Sequence, residues 1–118
     1  MKSQPLQATT RLNHGVAVID LTGDIDGGEE ATLQAAYAEA AQHCAGPMLL
    51  NFGGVGYINS TDIALIVGLL ARARTERRHL LACGLSEHYR EIFEIMRLSD
   101  FMTTYADESA AVAGADLA

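Results

Sequence analysis

A mixed α/β domain is the fold this sequence predicts, and three observations carry it. Leu6 to Leu12 and Val16 to Thr22 read as strands joined by His14-Gly15, which makes a hairpin. Short apolar runs then alternate with longer segments of helical period. Turn residues (Gly23 to Gly28, Gly46-Pro47, Gly53 to Gly56, Gly84) punctuate several of the junctions. An initial hairpin followed by alternating strands and helices implies a mixed central sheet flanked by helices.

Each element follows from its residues. The first strand is half polar, and the second alternates, with Val16, Val18 and Asp20 facing opposite to Ala17, Ile19 and Leu21. Gly23 to Gly28 has loop chemistry, and Glu29-Glu30 suits the positive first turn of a helix. That helix runs to about Cys44, turns Leu33, Ala36, Tyr37 and Ala40 inward, and ends at Gly46-Pro47. Met48 to Phe52 is short and mostly apolar, as a central strand buried on both faces should be. Gly53 to Gly56 is expected to be a loop, leading to a helix from Ser60 to about Thr75. Arg78 to Gly84 is the next strand, and Ser86 caps a helix whose buried side is Ile92, Phe93, Ile95 and Met96. Phe101 to Tyr105 is a last strand, and Asp107-Glu108 opens an alanine-rich terminal helix. The expectation is a single domain over residues 1–118, with its core at about 6–113.

Composition narrows the function classes. The chain has 118 residues, 49% hydrophobic and 19% charged, which suits a packed globular domain. Eight Lys+Arg against fifteen Asp+Glu leave a net charge of −7, which disfavours nucleic acid or an anionic membrane as main partner. The longest strongly apolar stretch, Ile63 to Ala71, is too short for membrane insertion. Met1-Lys2-Ser3-Gln4 leads into polar residues, not into the apolar core of a secretory signal, so a cytoplasmic protein is expected. Cys44 and Cys83 read as small core residues, not as a disulfide framework.

The segment that points to a function is Tyr57-Ile58-Asn59-Ser60-Thr61-Asp62, set directly before an apolar helix. Backbone N–H groups at a helix start lack partners within the helix and attract negative charge. A serine there is either a plain helix cap or the acceptor of a phosphate. In projection, Ile63, Ile66, Val67 and Leu70 share the side expected to face the sheet. Thr61, Ala64, Leu65, Gly68 and Arg72 lie opposite, with Leu69 at the border, and this small, apolar face suits protein docking.

Other groups carry plainer readings. Asp24 and Asp26 belong to an acidic loop without the spacing of a calcium site. Arg72, Arg74, Arg77 and Arg78 gather where a helix dipole favours cations, with an interaction patch as the alternative. Gly53 to Gly56 lacks the lysine of a phosphate loop, and His79 with Cys83 is two ligands, not a zinc site. No catalytic constellation, metal site or cofactor motif can be assembled, so the chain is not expected to be an enzyme.

The order of elements and the Asn59-Ser60-Thr61-Asp62 segment resemble the STAS domain of bacterial anti-sigma factor antagonists, from about Leu6 to Ala113. Leu98-Ser99-Asp100-Phe101 is similar to the connection into that family's last strand. The family motif is Asp-Ser-(Ser/Thr)-Gly before an apolar helix; here Asn59 replaces its aspartate and Asp62 its glycine. The resemblance implies a STAS-like fold and a phosphoacceptor at Ser60, with Thr61 as runner-up. It implies a partner surface of Asp24, Asn59, Ser60, Thr61, Asp62, Ala64, Leu65, Gly68, Leu69 and Arg72. The implied partners are an anti-sigma factor of the histidine-kinase-like ATPase type and a PP2C-type phosphatase; a homodimer stays open. The alternatives are a non-catalytic STAS accessory subunit on the ATPase of a lipid-trafficking ABC transporter, or a scaffold that is never phosphorylated.

Overall fold

A computed structural model describes residues 5–25, 29–44, 46–59 and 63–116. The predicted hairpin is present: β1 (Gln7–Asn13) pairs antiparallel with β2 (Val16–Ile25). His14 and Gly15 both take positive φ, at 51° and 82°, which matches the twist of a two-residue hairpin turn. Next come α1 (Glu30–His43), β3 (Met48–Ile58), α2 (Ile63–Thr75) and β4 (Leu80–Cys83). The chain closes with α3 (Glu87–Ile95), a 3-10 turn at Leu98–Asp100, β5 (Thr103–Tyr105) and α4 (Glu108–Asp116). Strand order is β1-β2-β3-β4-β5, and all pairs after the hairpin are parallel.

The alternation read from the sequence sorts the sheet's two faces. Ala17, Ile19, Leu21, Met48, Leu50, Phe52, Leu80 and Ala82 join the larger core with Leu33, Tyr37, Ile63, Ile66 and Phe93 from α1, α2 and α3. Val16, Val18, Leu49, Leu81 and Cys83 turn the other way and meet Ala111 and Val112 of α4. β3 is thus buried on both faces over Met48 to Leu50, as expected of a central strand.

α4 is tied down by charge as well as by packing. Arg11 of β1 donates from Nε to Asp20 at 2.6 Å, and from Nη1 to Glu108 at the start of α4 at 2.8 Å. Asn51 Nδ2 donates to Asp20 at 2.8 Å, and Asn13 Nδ2 to Glu108 at 2.6 Å. The Arg11 guanidinium, helped by these amides, holds both carboxyls below their usual range. Cys83 lies beside this network; burial, then the nearby acids, push its thiol up to about 11, so it stays protonated.

Four sequence expectations need correction. Gly53 to Gly56 is not a loop but part of β3, and β2 likewise continues through Gly23, Asp24 and Ile25. In α3, Ile95 is 80% exposed and Met96 is also exposed. The inward stripe is Tyr89, Ile92 and Phe93; at roughly 100° per residue, Ile95 stands well away from Phe93. Leu98 of the 3-10 turn enters the core in their place. In α2 the face is rotated: Leu69 is buried and Val67 is exposed.

Candidate functional site

The site begins where β3 outruns β4. Parallel pairing of β3 with β4 ends at Asn51–Cys83, yet β3 continues beside β2 to the pair Ile25–Ile58. Two register shifts, between Asp20 and Thr22 and between Gly23 and Asp24, mark bulges in this two-stranded arm. Gly23 takes φ of 99° at the second. The glycines allow the two backbones to approach. A Cβ on Gly54 would fall 2.7 Å from Thr22 Cγ2 and 2.9 Å from the Leu21 carbonyl.

Side chains replace the missing strand along the open edge. Gly53 N–H donates to Asn51 Oδ1 at 3.0 Å, and Ile58 N–H donates to the hydroxyl of Tyr89 on α3 at 3.0 Å. Ser86 caps α3, as predicted, by accepting from Tyr89 N–H at 3.3 Å. The Phe52 and Phe93 rings meet edge-on, 6.0 Å apart, beneath it. On the other side, Asn59 N–H donates to the Ile25 carbonyl at 2.6 Å. Asn59 is therefore fixed from β2 and its neighbour Ile58 from α3. Four residues on, Ile63 is buried in the core as the first described residue of α2.

Of the residues singled out from the sequence, Asp24 and Asn59 both lie at this end of the sheet. Asp24 pairs with Tyr57 across the arm and sits 3.2 Å, through Oδ1, from where a Gly56 side chain would start. Ser60, Thr61 and Asp62 lie outside the described residues, as does Asp26. Ala64 and Gly68 are exposed on α2, with open space above Gly68. Leu65 is half-buried against the core and Leu69 is fully inside. Arg72 turns to α1: it donates to Gln34 Oε1 at 2.8 Å, stacks over Tyr37 at 4.3 Å and pairs with Glu76. The Tyr37 hydroxyl also donates to Glu76 at 2.9 Å. The free face of α2 is accordingly Ala64, Val67, Gly68 and Ala71.

This arrangement provides a strand end held from two sides, at Ile58 and Asn59, and an exposed apolar strip along α2. Among the described residues, no three His, Cys, Asp or Glu converge as metal ligands would. Nor is any helix among them long and apolar enough to cross a membrane. Sequence reasoning missed Tyr89, whose hydroxyl braces the site. Its only signal was an aromatic with a polar tip at the edge of an otherwise apolar stripe.

Comparison with known proteins agrees with this geometry. Residues 8–104 match the family model described as "Mlab, STAS domain". A Bordetella bronchiseptica protein named as an anti-sigma factor antagonist, BtrV, is 28% identical over 100 residues, covering 84% of this chain and 86% of its own. An anti-sigma factor antagonist from Mycobacterium paratuberculosis superposes with a TM-score of 0.76 at 16% identity, over 95% of both chains. The Bacillus cell fate determinant SpoIIAA in its phosphorylated form gives 0.64 at 20% identity, over 91% of this chain and 96% of that one.

Proposed function

This chain belongs to the STAS-domain family, and from that premise we propose that it is an anti-sigma factor antagonist controlled by phosphorylation of Ser60. The observation that carries the reading is the doubly fixed end of β3, with Asn59 held by β2 and Ile58 held by Tyr89. BtrV carries the antagonist name, and SpoIIAA is a structural neighbour known in a phosphorylated form.

The mechanism is electrostatic. In the unphosphorylated state, the Asn59–Asp62 segment, Asp24 and the Ala64–Val67–Gly68 strip dock on the anti-sigma factor, a histidine-kinase-like ATPase, in the cytoplasm. Its kinase activity transfers the γ-phosphoryl group of ATP to the Ser60 hydroxyl; the hydroxyl proton leaves and ADP is released. The phosphate brings about −1.5 to −2 charges, which a helix N-terminus tolerates but a desolvated interface must oppose with cations. Binding is lost with little change of fold, and a PP2C-type phosphatase restores it. Asp62, two residues on, repels the phosphate and so favours the unmodified state. This chain supplies the acceptor and the surface, not a catalytic group.

Incubation with the cognate kinase and ATP should add one phosphate by intact-mass measurement, and Ser60→Ala should abolish it. Ser60→Asp should weaken the complex at least tenfold. Labelling that persists in Ser60→Ala at Thr61 moves the acceptor. No labelling, with an ABC-transporter ATPase as the co-purifying partner, replaces the reading with that of an accessory subunit.

A further inference from the structure

The far end of α2 carries a second surface. A groove of about 790 Å³ runs between the C-terminal half of α2 and the turn joining α3 to β5. Its floor and rim include Val67, Met96 and Phe101, all exposed, with Phe101 at 60%. Arg74 and Arg77 stand over it. The Arg74 guanidinium lies 5.5 Å from the Phe101 ring, and neither arginine forms a salt bridge among the described residues. A chain of net charge −7 thus exposes an apolar groove in which arginines outnumber its one acid, Asp100.

Immediately beside the groove is its chemical complement. α3 exposes Glu91 and Glu94, with Arg90 and Arg97 flanking them, and Ile95 stands 80% exposed between, an apolar ridge that carries two acids. The ridge ends at Met96, which is itself part of the groove. Val67, Ile95, Met96 and Phe101 are four of the six large apolar side chains that the described surface exposes. Such clustering marks an interface. A patch holding both a groove and the ridge that fits it is self-complementary, which is the requirement of a two-fold interface.

We propose that this chain forms a two-fold dimer in which the α3 ridge of each copy seats in the α2–α3 groove of the other. Ile95 enters between Val67 and Phe101 of the second copy, and Glu91 and Glu94 meet its Arg74 and Arg77. The contact shares Val67 with the strip proposed to dock the anti-sigma factor but needs no modification of Ser60, so a failure of the dimer and a failure of the antagonist reading are told apart by the measurements below.

Sedimentation velocity over a concentration series, at low and high salt, tests this on the full chain. The wild type should dimerise in the micromolar range, more weakly in high salt because the charge pairs lie at a screened rim. Ile95→Glu should weaken the dimer at least tenfold. Arg74→Glu/Arg77→Glu and Glu91→Arg/Glu94→Arg should each be monomeric, and an equimolar mixture of the two should form a heterodimer. Circular dichroism confirms that each variant is folded. A wild type that stays monomeric into the high-micromolar range overturns the proposal. So does a dimer unaffected by Ile95→Glu, or folded charge variants that fail to associate when mixed.

Discussion

Two glycines show how single residues set opposite limits. Gly68 sits inside α2 with no atom near the place of a Cβ, so nothing in the chain itself requires glycine there. Gly68→Ala should raise stability by about 0.5–1 kcal/mol in chemical denaturation, the usual gain in a helix interior. Gly68→Arg should fold as well but lose partner binding, because it fills the strip proposed to dock. Gly54 is the reverse case. Its substitution by alanine forces a Cβ against Thr22 and the Leu21 carbonyl, and a loss of about 1–3 kcal/mol is expected from overpacking. At Tyr89, removal of the hydroxyl leaves the buried Ile58 N–H without its acceptor. Tyr89→Phe should cost about 1–3 kcal/mol. Faster amide exchange at Ile58 than in the wild type would show that the loss is local.

Among the elements, α4 depends most on charge. Glu108 at its first turn and Asp20 on β2 share Arg11, and both carboxyls titrate below their ordinary values. A lowered folded pKa contributes stability that is present above the unfolded value, about pH 4, and is lost as pH falls through the folded one. Acid titration followed by circular dichroism should therefore show stability falling below about pH 4. Arg11→Met should flatten that dependence and cost only about 0.5–1 kcal/mol at neutral pH, since Arg11 is 44% exposed and screened. The elements also show what could be read beforehand. The hairpin, α1, the doubly buried part of β3 and the Ser86 cap were legible because period and cap chemistry are local. The ends of β2 and β3 were not, because Gly23, Gly53, Gly54 and Gly56 read as turn residues unless the bulged neighbour that needs them is known. The rotation of α2 was hidden for a related reason. Leu69 and Val67 are both apolar, and only the packing of α2 into the larger core decides which one is covered.

The whole molecule is two unequal cores divided by one sheet. Among the described residues, three helices cover one face and α4 alone covers the other, over Val16, Val18, Leu49 and Leu81. A chain ending at residue 106 should expose those four, bind a hydrophobic dye strongly and self-associate, whereas the intact chain should not bind the dye. Family resemblance made the architecture readable at this scale. The groove was not readable, because Val67, Met96 and Phe101 come from separate parts of the chain and gather only in three dimensions. The open flank of the glycine arm has one more consequence. Bare sheet margins ordinarily recruit a stranger's main chain, which zips on as an extra strand. Here the Asn51 amide and the Tyr89 phenol already occupy the donors of Gly53 and Ile58, so an added strand would have to displace both. A partner that leaves those two bonds in place would read side chains instead of backbone, which favours sequence selectivity.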